Sequence, residues 1–344
     1  MRLAETRGMS FRSFPLALNL VLLAVGGIVV WLAGARLAKH TDAVASKTGI
    51  SRGFLGALML GGITSLPEIA VSVSATAIGN AHLAANNVLG GIAMQVAILA
   101  AADVAIGKKA ISTVARTAST NLQGVLLILL LSLTAAGVLI GEPRFTWVGP
   151  WAMAILVGGG LGFFLIYRTE KENPDEEPTP LSDEERDTSM KSLVLRIAVA
   201  SVLILIAGIT VANAGDAIGE QTGLGASFAG MVLVAITTSL PEVSTTIGAA
   251  RLGRADMAFS NIFGTNVFDV ALIGIVDLVW MRGPVINELG RFSAVAAMLG
   301  IVCTAIYVIA LERRRVPSFL RMGIDSMLVL VVYFGGVGVL YGLR

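Results

Sequence analysis

Residues Gly62-Ile63-Thr64-Ser65-Leu66-Pro67-Glu68 recur, nearly intact, as Ile236-Thr237-Thr238-Ser239-Leu240-Pro241-Glu242. Each copy lies inside an apolar run long enough to cross a membrane. A proline within a helix has no N–H to donate, so the carbonyl four residues earlier loses its partner. Here those carbonyls belong to Ile63 and Thr237. A membrane tolerates such a break only where it faces protein or a water-filled cavity. Thr64 and Glu68 are four apart, as are Thr238 and Glu242, so each pair shares one helix face. Carboxylates inside a membrane are costly and mark ion or proton pathways. A proline kink with a snorkelling glutamate accounts for one such copy. Two matched copies read better as the halves of one cation site.

Moving outward, the two copies are the centres of a long internal repeat. With an offset of 174 residues, 49–103 aligns on 223–277 without a gap. Gly49 meets Gly223, Phe54 meets Phe228, Gly79 meets Gly253, Asn87 meets Asn261, Gly90 meets Gly264 and Asp103 meets Asp277. Asp42 meets Asp216 as well. Shared hydrophobicity alone does not align glycines, prolines and acids in register. Apolar runs fall at about 15–38, 53–78, 84–106, 121–140 and 145–167. A second set follows at about 193–214, 226–250, 257–280, 292–311 and 322–343. Between them, 168–191 is rich in Asp and Glu with three prolines, the composition of a solvated linker. The expected fold is an all-α integral membrane protein of ten transmembrane helices. It divides into a first five-helix repeat over 15–167, the acidic linker 168–191, and a second five-helix repeat over 192–343. An odd number of helices per half inverts one half against the other, an architecture that places a transporter's site near the bilayer midplane.

Composition agrees. Of 344 residues 55% are hydrophobic and 14% charged, against about 25% charged in soluble domains. A net charge of +2 is too small to imply nucleic acid. The single cysteine, Cys303, rules out an intrachain disulfide framework. The two histidines, His40 and His82, fall in predicted loops, which argues against a histidine-based zinc site. Residues 1–13, with Arg2, Arg7 and Arg12, resemble a signal-peptide n-region. No clear cleavage site follows, and 15–38 reads as a retained first helix. With both termini outside, Arg2, Arg7, Arg12, Arg144, Arg282, Arg291 and Arg344 lie outside and the remaining Lys and Arg inside. That excess places the linker in the cytoplasm of a cell-membrane protein.

Each repeat carries a second polar patch. In the first it is Asn87-Val88-Leu89-Gly90-Gly91-Ile92-Ala93-Met94-Gln95; in the second, Asn261-Ile262-Phe263-Gly264-Thr265-Asn266-Val267-Phe268-Asp269. Thr265 and Asp269 form another hydroxyl–carboxylate pair four apart, and Gln95 stands where the second repeat has Asp269. Should the glutamate-bearing and patch-bearing helices cross, Glu68, Gln95, Glu242 and Asp269 converge with the hydroxyls of Thr64, Ser65, Thr238, Ser239 and Thr265. All these donors are oxygens, without thiolate or imidazole. Hard cations such as calcium take six to eight oxygen ligands, and soft metals want Cys or His. Three carboxylates suit one divalent ion or several monovalent ones. Asp103 and Asp277, near the helix ends, read either as interfacial acids or as part of an access path.

With these motifs in place, the chain resembles the cation/calcium exchanger superfamily, and within it the sodium/calcium exchanger family. That family carries two α-repeats with G-T-S-L-P-E followed by G-N-x-x-G-S-N-x-x-[ND]. Thr64 to Glu68 and Thr238 to Glu242 match the first part, and Asn261 to Asp269 the second, with Thr265 for the usual serine. Gly34-Ala35-Arg36-Leu37-Ala38 and Gly49-Ile50-Ser51 also resemble it. The resemblance implies alternating access and calcium export driven by sodium entry. It implies Glu68 and Glu242 as central divalent ligands, with Thr64, Ser65, Thr238, Ser239, Thr265 and Asp269 around them. Ca2+ and Na+ are then transported substrates rather than cofactors, and the expected partners are these ions and the lipid bilayer, with no nucleic acid and no obligate protein partner. By the same analogy the helices at 15–38 and 193–214 are the moving pair, with Gly26, Gly27 and Gly208 easing their sliding. The first repeat departs from the pattern at Gly91, Ile92 and Gln95. A proton-coupled divalent cation exchanger of the same fold is the alternative, with H+ as the coupling ion, but its usual G-N-x-x-E motif is absent. A channel would move ions without a stoichiometric counter-flux, and the repeat leans against it. An intramembrane enzyme lacks the membrane-embedded His, reactive Cys or H-E-x-x-H helix it would need, so no enzymatic activity is expected.

Overall fold

The apolar runs fold into long helices whose limits the flanking chemistry sets. In the computed structural model, residues 11–77, 81–107, 109–115, 118–143, 147–172, 188–223, 239–280, 283–313, 315–319 and 321–343 are described. Helix α1 spans Leu16–Thr48 and stops where Gly49 turns left-handed at φ +71°, a common helix terminator. It overruns the expected limit at 38 by ten residues and takes in His40, which therefore lies in a helix and not a loop. Ala38 to Ser46 contains no helix breaker, so the helix continues past its apolar stretch.

A broken segment follows: α2 over Arg52–Thr64, with π-helical turns at Gly56–Gly61, and α3 over Leu66–Ala77. Next come α4 (Ala81–Ile106), α5 (Ala118–Ile140) and α6 (Pro150–Glu172). Then α7 (Met190–Gln221), α8 (Leu240–Arg251), α9 (Ala255–Trp280), α10 (Arg291–Arg313) and α11 (Ile324–Gly342) complete the chain. A two-residue antiparallel pair, Ser318–Phe319 with Met322–Gly323, precedes α11. The structure is thus nearly all helical. Among the described residues eight helices, α1, α4, α5, α6, α7, α9, α10 and α11, are long and apolar enough to cross a membrane.

The helix limits repeat the sequence offset. Helices α1 and α7 start 174 residues apart, as do α3 and α8, α4 and α9, and α6 and α11. The linker is shorter at both ends than its composition implies. Helix α6 runs through Arg168 to Glu172, where those two close an i,i+4 ion pair at 2.8 Å, and α7 begins at Met190, capped by the Ser189 hydroxyl. Residues 173–187 lie outside the described residues.

Helix α9 occupies the centre, packed by α2, α4, α5, α6 and α8 and buried along most of its length. Helix α1 packs along α7 and also on α8. Leu20, Val21, Val25 and Ile28 on α1, and Val194, Leu195, Val199 and Ile206 on α7, are left exposed. In lipid that face needs no cover, and helix association rests instead on close packing of small residues.

Asp103 and Asp277 are fully buried and do the same work at matched helix ends. Asp103 accepts the N–H groups of Ile111 at 2.7 Å and Gly323 at 2.6 Å. Asp277 accepts those of Val285 at 2.5 Å and Gly149 at 2.7 Å. Every partner is displaced by the repeat offset. These acids staple α4 and α9 to the starts of α11 and α6, satisfying N–H groups that a helix start leaves unpaired.

Candidate functional site

Three glycines bring α2 and α9 into backbone contact. A Cβ on Gly56 would lie 2.9 Å from the Met257 carbonyl oxygen, one on Gly61 2.7 Å from the Thr265 nitrogen, and one on Gly264 2.4 Å from the Ala57 Cα. The π-helical turns fall on this crossing, and such widened turns mark functional sites. The crossing joins the two repeats, since α2 belongs to the first and α9 to the second.

It sets the threonine hydroxyls of Thr64 and Thr265 3.3 Å apart. Thr265 also donates to the Asn261 carbonyl at 2.7 Å, and Thr64 reaches the Gly61 carbonyl at 3.2 Å. One turn further along α9, the Gln95 amide donates to the Asp269 carboxylate at 3.1 Å. That bond again spans the repeats at equivalent positions. Ser65 lies beside Asp269, and Thr64 beside Glu242. Glu68 sits within electrostatic reach of both Glu242 and Asp269.

The hydrogen bonds commit the amide nitrogens of Gln95 and Asn261 and leave oxygens over. The Asn261 side chain donates to the hydroxyls of Thr245 at 2.9 Å and Thr246 at 2.7 Å, which leaves its side-chain oxygen, Oδ1, unpartnered. Gln95 leaves its carbonyl oxygen and Asp269 leaves Oδ1. Ser65 Oγ, Glu68 Oε2 and both carboxylate oxygens of Glu242 are likewise buried without a partner. Buried polar atoms in native structures are almost always paired, and an isolated buried carboxylate is costly. A concentration of orphan oxygens at one crossing is what a cation would satisfy.

Thr64, Ser65, Glu68, Gln95, Glu242, Thr265 and Asp269 lie near one another around this crossing. Ser239 is buried at the start of α8, with no hydrogen bond to them among the described residues. Thr238 lies outside the described residues. Asn261 and Asn266 belong to the arrangement although neither is among the predicted ligands. Both polar atoms of Asn266 are buried and unpartnered. Its signal in the sequence was a lone amide one residue after Thr265, in a stretch otherwise fit for packing.

Among the described residues, no three His, Cys, Asp or Glu side chains draw together into a tight cluster. The unpartnered donors are instead hydroxyl, amide and carboxylate oxygens, a set that suits hard cations. Glu68 keeps partial exposure, whereas Glu242 and Asp269 are buried.

Comparison with known proteins follows the same line. The family described as sodium/calcium exchanger protein matches residues 18–169 and 191–342. The chain is 26% identical over 321 residues to an uncharacterized membrane protein of Methanocaldococcus jannaschii, covering 89% of this chain and 97% of that one. It is 26% identical over 255 residues to the inner membrane protein YrbG of Escherichia coli, covering 73% and 77%. A shorter match, 32% over 111 residues, is to sodium/potassium/calcium exchanger 2 of Gallus gallus, covering 30% of this chain and 17% of that protein. Among solved structures, the sodium-calcium exchanger NCX_Mj soaked with Na+ and Sr2+ superposes with a TM-score of 0.71, covering 94% of this chain and 99% of that one. At 17% identity this likeness is one of fold.

Proposed function

The chain belongs to the sodium/calcium exchanger protein family, and from that premise we propose that it is a secondary antiporter exporting Ca2+ in exchange for Na+ by alternating access. The observation that carries the reading is Glu242, fully buried with both oxygens unpartnered at the place where the two repeats cross. In this reading Glu68 and Glu242 hold the divalent ion. Thr64, Ser65, Gln95, Thr238, Ser239, Thr265 and Asp269 complete the cation positions, and Asn261 and Asn266 join them. Ca2+ and Na+ are substrates, and the protein works without a cofactor and without catalysing a reaction.

The architecture proposed with it is ten membrane helices in two inverted halves, 15–167 and 192–343. The segment of α2 and α3 is one of the ten, and the apolar run at about 226–250, whose residues up to 238 lie outside the described residues, is its counterpart. The 174-residue recurrence of helix limits supports this count. Both termini then face outward and 168–191 is cytoplasmic, following the excess of Lys and Arg in the inner loops.

The test is calcium-45 uptake into sodium-loaded proteoliposomes, with and without an outward sodium gradient. Uptake is expected to follow the sodium gradient and to fall to the level of empty liposomes in Glu242→Gln, at unchanged expression and monodispersity. Uptake that ignores sodium and follows a proton gradient would replace this reading with the proton-coupled one.

A further inference from the structure

The two staple acids, Asp103 and Asp277, sit in unequal surroundings. Beside Asp277 the second carboxylate is Glu142, whose oxygens accept the N–H groups of Trp151 at 3.2 Å and Ala152 at 3.1 Å. Every carboxylate oxygen at that junction has an N–H partner. Beside Asp103 the second carboxylate is Asp325, in the first turn of α11 and 6% exposed. Its Oδ2 accepts the Ser112 hydroxyl, but its Oδ1 is buried without a partner. That oxygen faces Asp103: a Cβ on Gly323 would overlap Asp325 Oδ1 and lie 3.2 Å from Asp103 Oδ2. One point is thus within reach of both carboxylates. Two further hydroxyls line the cluster. Ser326 hydrogen-bonds Asp103 and accepts from the Tyr307 hydroxyl at 3.1 Å. At the 174-residue offset Ser112, Tyr307, Asp325 and Ser326 fall on Ile286, Leu133, Trp151 and Ala152. The staple recurs with the repeat, whereas this polar cluster does not.

We propose that Asp325 and Asp103, with the hydroxyls of Ser112 and Ser326, hold a calcium ion at the junction of α4 and α11, apart from the site where the repeats cross. Buried charges are paired or bind a metal. Among the described residues no Lys or Arg forms an ion pair with either acid. The Arg321 guanidinium lies instead against Gly107, past the end of α4, where a helix terminus favours a cation. Asp103 Oδ2 spends one lone pair on the Gly323 N–H and keeps another for a ligand. The donors are all oxygens, and two carboxylates balance one divalent charge. Mg2+ gives up its waters reluctantly, whereas Ca2+ accepts protein oxygens in irregular geometry, so a buried cluster of this kind favours calcium. Asp103 lies eight residues beyond Gln95, about 12 Å along α4, so both positions can be filled at once. The inference goes beyond the exchange reading and does not depend on it.

The experiment is equilibrium dialysis of calcium-45 against the full chain in detergent, for the wild type, Asp325→Asn, Glu242→Gln and the double variant. Asp325→Asn is expected to lower bound calcium by one ion per chain in both backgrounds, at unchanged elution on gel filtration. Binding that is the same with and without Asp325→Asn overturns the proposal and leaves the exchange reading intact. Loss of the Asp325-dependent ion with no effect of Glu242→Gln upholds this site and overturns the reading of the central one. Terbium, which occupies calcium positions built from oxygen ligands, gives a second readout that leaves Asp325 in place. Its luminescence excited through tyrosine is expected to fall severalfold in Tyr307→Phe, which keeps the ring beside the cluster and removes the sensitising phenol. Emission indifferent to Tyr307 puts the ion elsewhere and overturns the proposal, whether or not Asp325→Asn folds.

Discussion

At the scale of single residues, the site is defined by what its hydrogen bonds leave unsatisfied. Gln95 shows this best. Its nitrogen is fixed on Asp269, so its own oxygen and the far oxygen of Asp269 are left open to a ligand. Replacing it by leucine keeps the size and removes both the donor and the oxygen. A hydrogen bond to a charged group contributes about 1.5–3 kcal/mol, so Gln95→Leu is expected to weaken apparent calcium affinity about ten- to hundredfold. The concentration dependence of calcium-45 uptake would show it; an unchanged affinity would remove Gln95 from the site. The glutamates, Thr64 and Thr265 were legible in the sequence because polar residues inside apolar runs have few reasons to be there. Asn261 was visible too, but only as part of a motif. Its role depends on which of its two polar atoms is occupied, and Thr245 and Thr246, which occupy the nitrogen, lie on another helix. No spacing rule along one chain reports that.

At the scale of elements, glycine decides how close the helices come. The sequence showed where glycines recur, and the repeat register showed that Gly90 and Gly264 are equivalent. Gly264 lies against the backbone of Ala57; the segment that would face Gly90 by the same offset falls within 224–238, outside the described residues. Pattern alone does not report the approach, because closeness is a property of the partner helix and of the π-helical turns at Gly56–Gly61. The crossing therefore makes a prediction. Gly61→Ala forces a methyl group against the Thr265 nitrogen and separates α2 from α9, an overpacking that costs about 1–3 kcal/mol. It is expected to lower the thermal stability of the detergent-solubilised protein and to abolish sodium-driven calcium uptake. Unchanged stability and uptake in Gly61→Ala would mean that the crossing does not organise the site. Boundaries were the less legible part: α1 and α6 overrun their apolar stretches because good helix formers and an Arg168–Glu172 pair carry them on into the polar ends.

At the scale of the whole molecule, the proposed alternating access, with α1 and α7 as the moving pair that the family resemblance implies, asks what holds that pair to the rest. Helices α1 and α7 pack on each other at Gly26, where a Cβ would lie 2.7 Å from Val211 Cγ2. At Gly208 the α7 backbone rides over both proline kinks, with Pro67 Cγ 3.2 Å and Pro241 Cγ 3.7 Å from a built Cβ. A surface of small residues over two rigid rings suits sliding. The fastening lies at the far end of α1. Asp42 accepts Arg52 Nε at 2.6 Å and Arg254 Nε at 2.9 Å, so it ties α1 to one segment from each repeat. Its repeat counterpart, Asp216, pairs instead with Arg12, which precedes α1 and travels with the pair. The ends of the moving pair are thus fastened unequally, and a latch at one end alone biases the equilibrium between the two orientations. A partly buried ion pair of this kind contributes about 1 kcal/mol, which is about a fivefold change in population. Asp42→Asn removes the charge and keeps the shape. The native chain has one cysteine, Cys303, and it is buried, so a second thiol placed at Ala38 reports directly on α1. Ala38 is fully buried in this conformation. In Asp42→Asn its labelling by a membrane-impermeant thiol reagent is expected to rise about fivefold when the reagent is on the Asp42 side, and to return when a saturating cation closes the site. Labelling that is unchanged by the substitution would show that Asp42 fastens nothing that moves, and would turn attention to the packing of α1 on α8 as the element that sets the balance.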